Sequence, residues 1–130
     1  MKRLLPIALT LAVAAPALAQ YDPNSASAYA PSCQAALDIA QGRRPAADSP
    51  DAAKQLQRAA LCNGAMTAIL NLQPFFKTEY SICPPGNTKP STAQMVTAIA
   101  AHLKSHPEQL RENFHQIAVT ALATAWPCAK

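Results

Sequence analysis

Residues 91–128, STAQMVTAIAAHLKSHPEQLRENFHQIAVTALATAWPC, decide the fold. Ser91-Thr92-Ala93-Gln94 is a capping box: a serine oxygen and a glutamine three residues later can satisfy the free N–H groups that open a helix. Behind it, Val96, Ile99 and Leu103 recur at the three-and-four spacing of one helix face. The run stops at Ser105-His106-Pro107, because proline disfavours helical backbone in the residue before it. Pro107 can itself start a further helix, with Glu108 in the first turn. Leu110, Phe114, Ile117, Ala118, Ala121, Leu122 and Ala125 then trace an apolar stripe that ends at Trp126-Pro127-Cys128. The link between the two helices is short, which predicts antiparallel neighbours.

That geometry bears on the cysteines. Antiparallel packing sets the end of the last helix beside the start of the one before it, so Cys128 and Cys83 lie at the same end. Four cysteines allow three connectivities. The packing selects Cys83–Cys128 and leaves Cys33–Cys62. The spacings contain no close C-x-x-C pair, so neither a zinc site nor a redox motif is expected.

Upstream the pattern stays helical. Ser49, Pro50 and Asp51 are a helix start, and a helix follows to about Leu72, before Pro74. Its apolar face comprises Leu56, Ala59, Cys62, Met66, Ile69 and Leu70, with Gly64 read as a point of close helix packing. Residues 20–31 read as a loose N-terminal arm. Ser32 is expected to cap a short first helix carrying Cys33, Ala36, Leu37 and Ala40, which Gly42 stops. Residues 74–90 hold Phe75, Phe76 and Tyr80, then Cys83-Pro84-Pro85-Gly86, and cannot form a regular element. No useful stretch alternates with period two. The expectation is an all-α domain over residues 32–130, a small bundle of about four helices stapled by two disulfides.

Met1 to Ala19 have the three parts of a cleavable signal peptide. Lys2 and Arg3 start it, an apolar run from Leu4 to Val13 follows, and Ala17-Leu18-Ala19 offers the small-x-small cleavage pattern. The run is too short for a stable membrane anchor. No cysteine follows it as in a lipoprotein. Its alanine-rich style suits a Gram-negative bacterium and a soluble periplasmic product, where paired cysteines oxidise. Two of the 11 basic residues lie in this leader, and the remainder balance 7 acids closely enough to leave no footprint for nucleic acid. Arg43-Arg44, the only adjacent basic pair after the leader, reads as solvated loop.

No catalytic set emerges. His102 and His106 are four apart, but no H-E-x-x-H pattern accompanies them, so they read as solvated or helix-terminal residues and no metal is expected. The acids form no pair suited to acid–base work. No cofactor motif is present. The chain reads as a binding protein and not an enzyme, with a contact surface in the irregular region at Phe75, Phe76, Lys77, Tyr80, Asn87 and Lys89, since exposed aromatics make interface anchors.

The cysteine framework resembles the Rap/Tai family of type VI secretion immunity proteins. The resemblance runs from Cys33 to Cys128. It rests on Cys33 in the first helix, Leu61-Cys62-Asn63-Gly64, the Cys83-Pro84-Pro85-Gly86 loop before the capped helix with Gln94, and two C-terminal motifs, Leu103 to Pro107 and Ala121 to Cys128. Ala65 and Ala68 depart from the family pattern. The resemblance implies a small exported helical protein that binds and occludes a peptidoglycan amidase toxin in the periplasm, often as a homodimer. The competing expectation is a periplasmic chaperone or stress protein of the HdeA type, also small, helical and disulfide-bonded.

Overall fold

The computed structural model describes residues 22–129; the leader assigned to 1–19 lies outside the described residues, as does the Asn87 side chain. Four helices carry the fold: α1 (Ala26–Ala40), α2 (Pro50–Leu72), α3 (Thr92–Ser105) and α4 (Phe114–Ala125). Short 3-10 turns at Gln73–Phe75, Thr78–Tyr80 and Pro85–Asn87 lie between α2 and α3, and another at Pro107–Arg111 joins α3 to α4. Among the described residues no strand forms, only an isolated antiparallel bridge between Ser25 and Asn113. The expected all-α bundle with two disulfides is the fold observed.

Each helix begins where a side chain can accept the free N–H groups of its first turn. Ser49 Oγ accepts from Ala52 N–H at 3.2 Å, with Pro50 at the first position of α2. The capping box of α3 is complete: Gln94 N–H donates to Ser91 Oγ at 3.2 Å and Ser91 N–H donates to Gln94 Oε1 at 2.8 Å. Gly42 closes α1 at φ +75°, a left-handed conformation that costs other residues a steric penalty. Its N–H donates to the Ile39 carbonyl and the Arg43 N–H to the Asp38 carbonyl, the paired bonds of a Schellman ending.

Two expected boundaries move. The first helix is capped by Ser25, not Ser32, so half of the supposed arm is helical. Ser32 is buried within the helix, and Pro31 sits inside it on the solvent side. A proline there removes one helical hydrogen bond. Contacts distant in sequence offset that loss. Ala26 N–H donates to the Glu112 carbonyl at 2.9 Å, Phe114 N–H donates to the Asn24 carbonyl at 2.7 Å, and the Tyr29 ring stacks on Phe114 with centroids 4.3 Å apart.

The same bridge moves the start of the last helix. Residues 107–111 form a 3-10 turn, the backbone extends at Glu112, and Asn113 Oδ1 caps α4 by accepting from the N–H groups of His115 and Gln116. Leu110 therefore leaves the stripe and is part-exposed. Phe114, Ile117, Ala118, Ala121 and Leu122 keep it and are buried.

The core lies where the four helices meet and is made largely of small residues. Ala26, Ala35, Ala36, Ala59, Ala65, Ala118 and Ala121 are buried, and Met66, Ile82, Met95 and Leu122 are the large side chains sealed among them. Small side chains let helix backbones approach closely, at the cost of apolar area. Leu56, expected on the buried face of α2, is 59% exposed. Gly64 also faces solvent, with nothing within 4 Å of where a Cβ would stand, so it does not mark a close helix contact.

Both disulfides have the expected partners. Cys33–Cys62 joins α1 to α2 with Cα atoms 5.0 Å apart, and Cys83–Cys128 joins the irregular segment to the end of α4 at 4.9 Å. Beside the second, Cys83 N–H donates to the Trp126 carbonyl at 2.9 Å. Near the end of α1, hydrogen bonds from Arg43 and then Gln34 hold the Asp38 carboxyl below its usual range. That pairing favours the fold above the unfolded-state pKa of Asp38 and is lost as pH falls through the folded-state value.

Two outcomes follow from this packing. Titration with dithiothreitol and alkylation mass spectrometry should label Cys83 and Cys128 first, because Cys62 is fully buried and Cys33 nearly so, whereas Cys83 is exposed. Equilibrium urea denaturation should show Phe114→Ala costing about 3–5 kcal/mol, and Asn113→Ala about 1 kcal/mol through loss of the cap.

Candidate functional interface

The irregular segment after α2 has little room to wander. Phe76 N–H donates to the Gln73 carbonyl at 3.0 Å, Tyr80 N–H to the Lys77 carbonyl at 2.8 Å and Ser81 N–H to the Thr78 carbonyl at 3.2 Å. The Gln73 side chain reaches across to the Ile82 carbonyl. Ile82 is buried in the core and Cys83 is bonded to Cys128, so the far end is anchored twice. The two phenylalanines divide as their adjacency requires. Phe76 turns inward and packs on the core, while Phe75 is 83% exposed.

The segment forms one wall of a groove of about 500 Å³. The last turns of α2 contribute Ala68, Ile69 and Leu72. The two 3-10 turns and the link between them contribute Phe75, Phe76, Lys77 and Tyr80, and the first turns of α4 contribute His115, Gln116, Val119 and Thr120. The volume falls within the range of about 300–1,000 Å³ typical of ligand sites. Leu72, Phe75 and Tyr80 are three of the six large apolar side chains exposed among the described residues. An apolar cluster of this kind is a usual mark of an interaction surface.

Four of the six contact residues expected from the sequence therefore meet: Phe75, Phe76, Lys77 and Tyr80. Lys89 does not join them. It lines a separate cleft of about 470 Å³ with Gln73, Ile82 and Cys83. The α4 wall lies beside the buried stripe of that helix and is not disclosed by the stripe itself. His115, Val119 and Ala123 repeat at intervals of four beside that stripe, which was the available signal. His115 is held at the groove by aromatic neighbours, in edge contact with Tyr29 at 5.4 Å and Phe114 at 5.7 Å between centroids.

His102 and His106 stack face to face with centroids 4.4 Å apart, and one nitrogen of each ring is hydrogen-bonded near the end of α3. His106 Nδ1–H donates to the His102 carbonyl at 3.0 Å, and His102 Nε2–H donates to Gln109 Oε1 at 2.9 Å. Among the described residues no three His, Cys, Asp or Glu side chains gather as a metal ion requires. No described helix is long and apolar enough to cross a membrane.

A family model for Rap1a immunity proteins matches residues 25–128. Comparison with curated proteins and comparison with solved structures give no match. The family match starts at Ser25, the cap of α1, and ends at Cys128, the last disulfide cysteine, so it takes in all four helices and both bridges. On that match the chain belongs to the Rap1a immunity protein family.

Proposed function

We propose that the protein is exported to the periplasm, binds a peptidoglycan amidase toxin and blocks it by steric occlusion, without catalysing a reaction. Membership of an immunity family supports a toxin partner. The observation that carries the choice of surface is Phe75: a large aromatic side chain, 83% exposed, on backbone fixed by turns and a disulfide. Leaving such a group in water is unfavourable by roughly 1.5–3 kcal/mol relative to burial, so a partner that covers it gains that term. The rigid backbone spares the complex much of the ordering cost that a mobile loop would incur. Leu72 and Tyr80 flank Phe75 on the same wall and enlarge the apolar centre that a tight interface needs.

An acid-activated chaperone would need many paired carboxylates whose protonation opens the domain. Among the described residues the only ion pair is Arg43–Asp38, at the surface, so that reading stands second.

The test is a pull-down with the mature protein from periplasmic extract and from the products of neighbouring genes, searched for an amidase toxin. Retention of the toxin at micromolar concentration, with protection of cells against the periplasmically targeted toxin, is the expected result. Failure of both removes the amidase reading. Phe75→Ala should weaken the complex by about 2 kcal/mol or more, roughly 30-fold in Kd, while the free energy of unfolding stays within about 0.5 kcal/mol of the parent. An unchanged Kd would move the interface away from this segment.

A further inference from the structure

The groove beside Phe75 carries a charge pattern that narrows what it can accept. Its floor and walls are apolar at Ala68, Ile69, Leu72, Phe76 and Val119. No carboxylate lines it, and Lys77 is its one permanently charged side chain. Lys77 is exposed at the start of the Thr78–Tyr80 turn and takes part in no ion pair among the described residues. The mature chain as a whole is nearly balanced in charge, so an acid-free groove with an unpaired lysine is a local feature.

We propose that this groove takes a protein segment presenting a large apolar side chain next to a carboxylate: the apolar group against Ile69, Leu72 and Val119, the carboxylate against Lys77. The recognition is then apolar burial for affinity and a charge contact for register and partner choice. A second copy of this chain fits less well. A two-fold contact through this patch would bury both Lys77 side chains in one interface with no carboxylate from the groove lining to pair with either, since such an interface uses the same patch on both subunits. A lipid surface is also disfavoured, because peripheral binding to anionic membranes relies on clusters of basic residues and this wall has one. The proposal deepens the toxin-binding reading by giving the chemistry of the segment that enters, but its test does not need the toxin.

The test is a titration of isotope-labelled mature protein, followed by amide NMR, with three blocked pentapeptides. Each has a central phenylalanine, flanked by glutamates, glutamines or lysines. The glutamate peptide should produce saturable shifts at Lys77, His115, Val119 and Thr120. It should bind about two- to fivefold more tightly than the glutamine peptide, the scale of one exposed charge pair, with the lysine peptide weakest. Lys77→Glu should invert the order while leaving the denaturation midpoint unchanged, and added salt should shrink the differences. The proposal is overturned if the glutamate peptide gives no saturable shift at millimolar concentration, if the shifts fall outside the groove, or if Lys77→Glu leaves the order unchanged. Peptide preference without protection against the amidase would remove the toxin reading and leave the ligand class of the groove standing.

Discussion

The bond between Cys83 and Cys128 is the constraint on which the candidate interface depends. It closes a separation of 45 residues and ties the chain leaving the irregular segment to the end of α4. The second bridge closes 29 residues elsewhere in the chain, and the two loops do not overlap. In the chain-entropy view each raises the free energy of the unfolded state independently, by roughly 4 kcal/mol. Without the Cys83 anchor, a stretch rich in proline and lacking a helix would be held by Ile82, a few turn bonds and the Gln73 side chain.

Covalent anchoring matters here because the core is lean. Seven of its buried members are alanines, which pack closely but remove little apolar surface from water. Few large side chains are fully enclosed. A domain of about 110 residues with such a core sits near the range in which disulfides commonly supplement packing. The bridges are also divided by location. One lies in the interior between α1 and α2, the other at the surface, where it anchors the end of the segment that walls the groove.

The groove itself is assembled from two stretches far apart in sequence, residues 68–80 and 115–120. The end of α2 supplies a floor, the 3-10 turns a wall, and α4 the facing wall. The Ser25–Asn113 bridge and the Tyr29–Phe114 stack set where α4 begins, and so which residues of α4 face Phe75. These contacts lie beside His115 at one edge of the groove, and through the start of α4 they bear on the composition of the surface.

Much of this was written in local pattern. The caps at Ser49 and Ser91, the stop at Gly42, the stripe from Phe114 to Leu122 and the division of the cysteines into pairs all depend on neighbours within a few residues or on one short connection. Phe75, Phe76, Lys77 and Tyr80 were legible as a surface because prolines exclude a regular element around them. Other features were settled by tertiary contacts. Helix α1 begins at Ala26 despite Pro31, and α4 begins at Phe114 and not at Pro107, because hydrogen bonds between residues 24–26 and 112–114 outweigh the local signals. Lys89 parted from Lys77, and His115 and Val119 joined it, for the same kind of reason. Sequence by itself determined which segments become helices and where most of them stop, since those choices follow from local hydrogen-bond and proline chemistry. Tertiary structure alone decided two helix starts and the membership of the groove, since both depend on which distant surfaces meet.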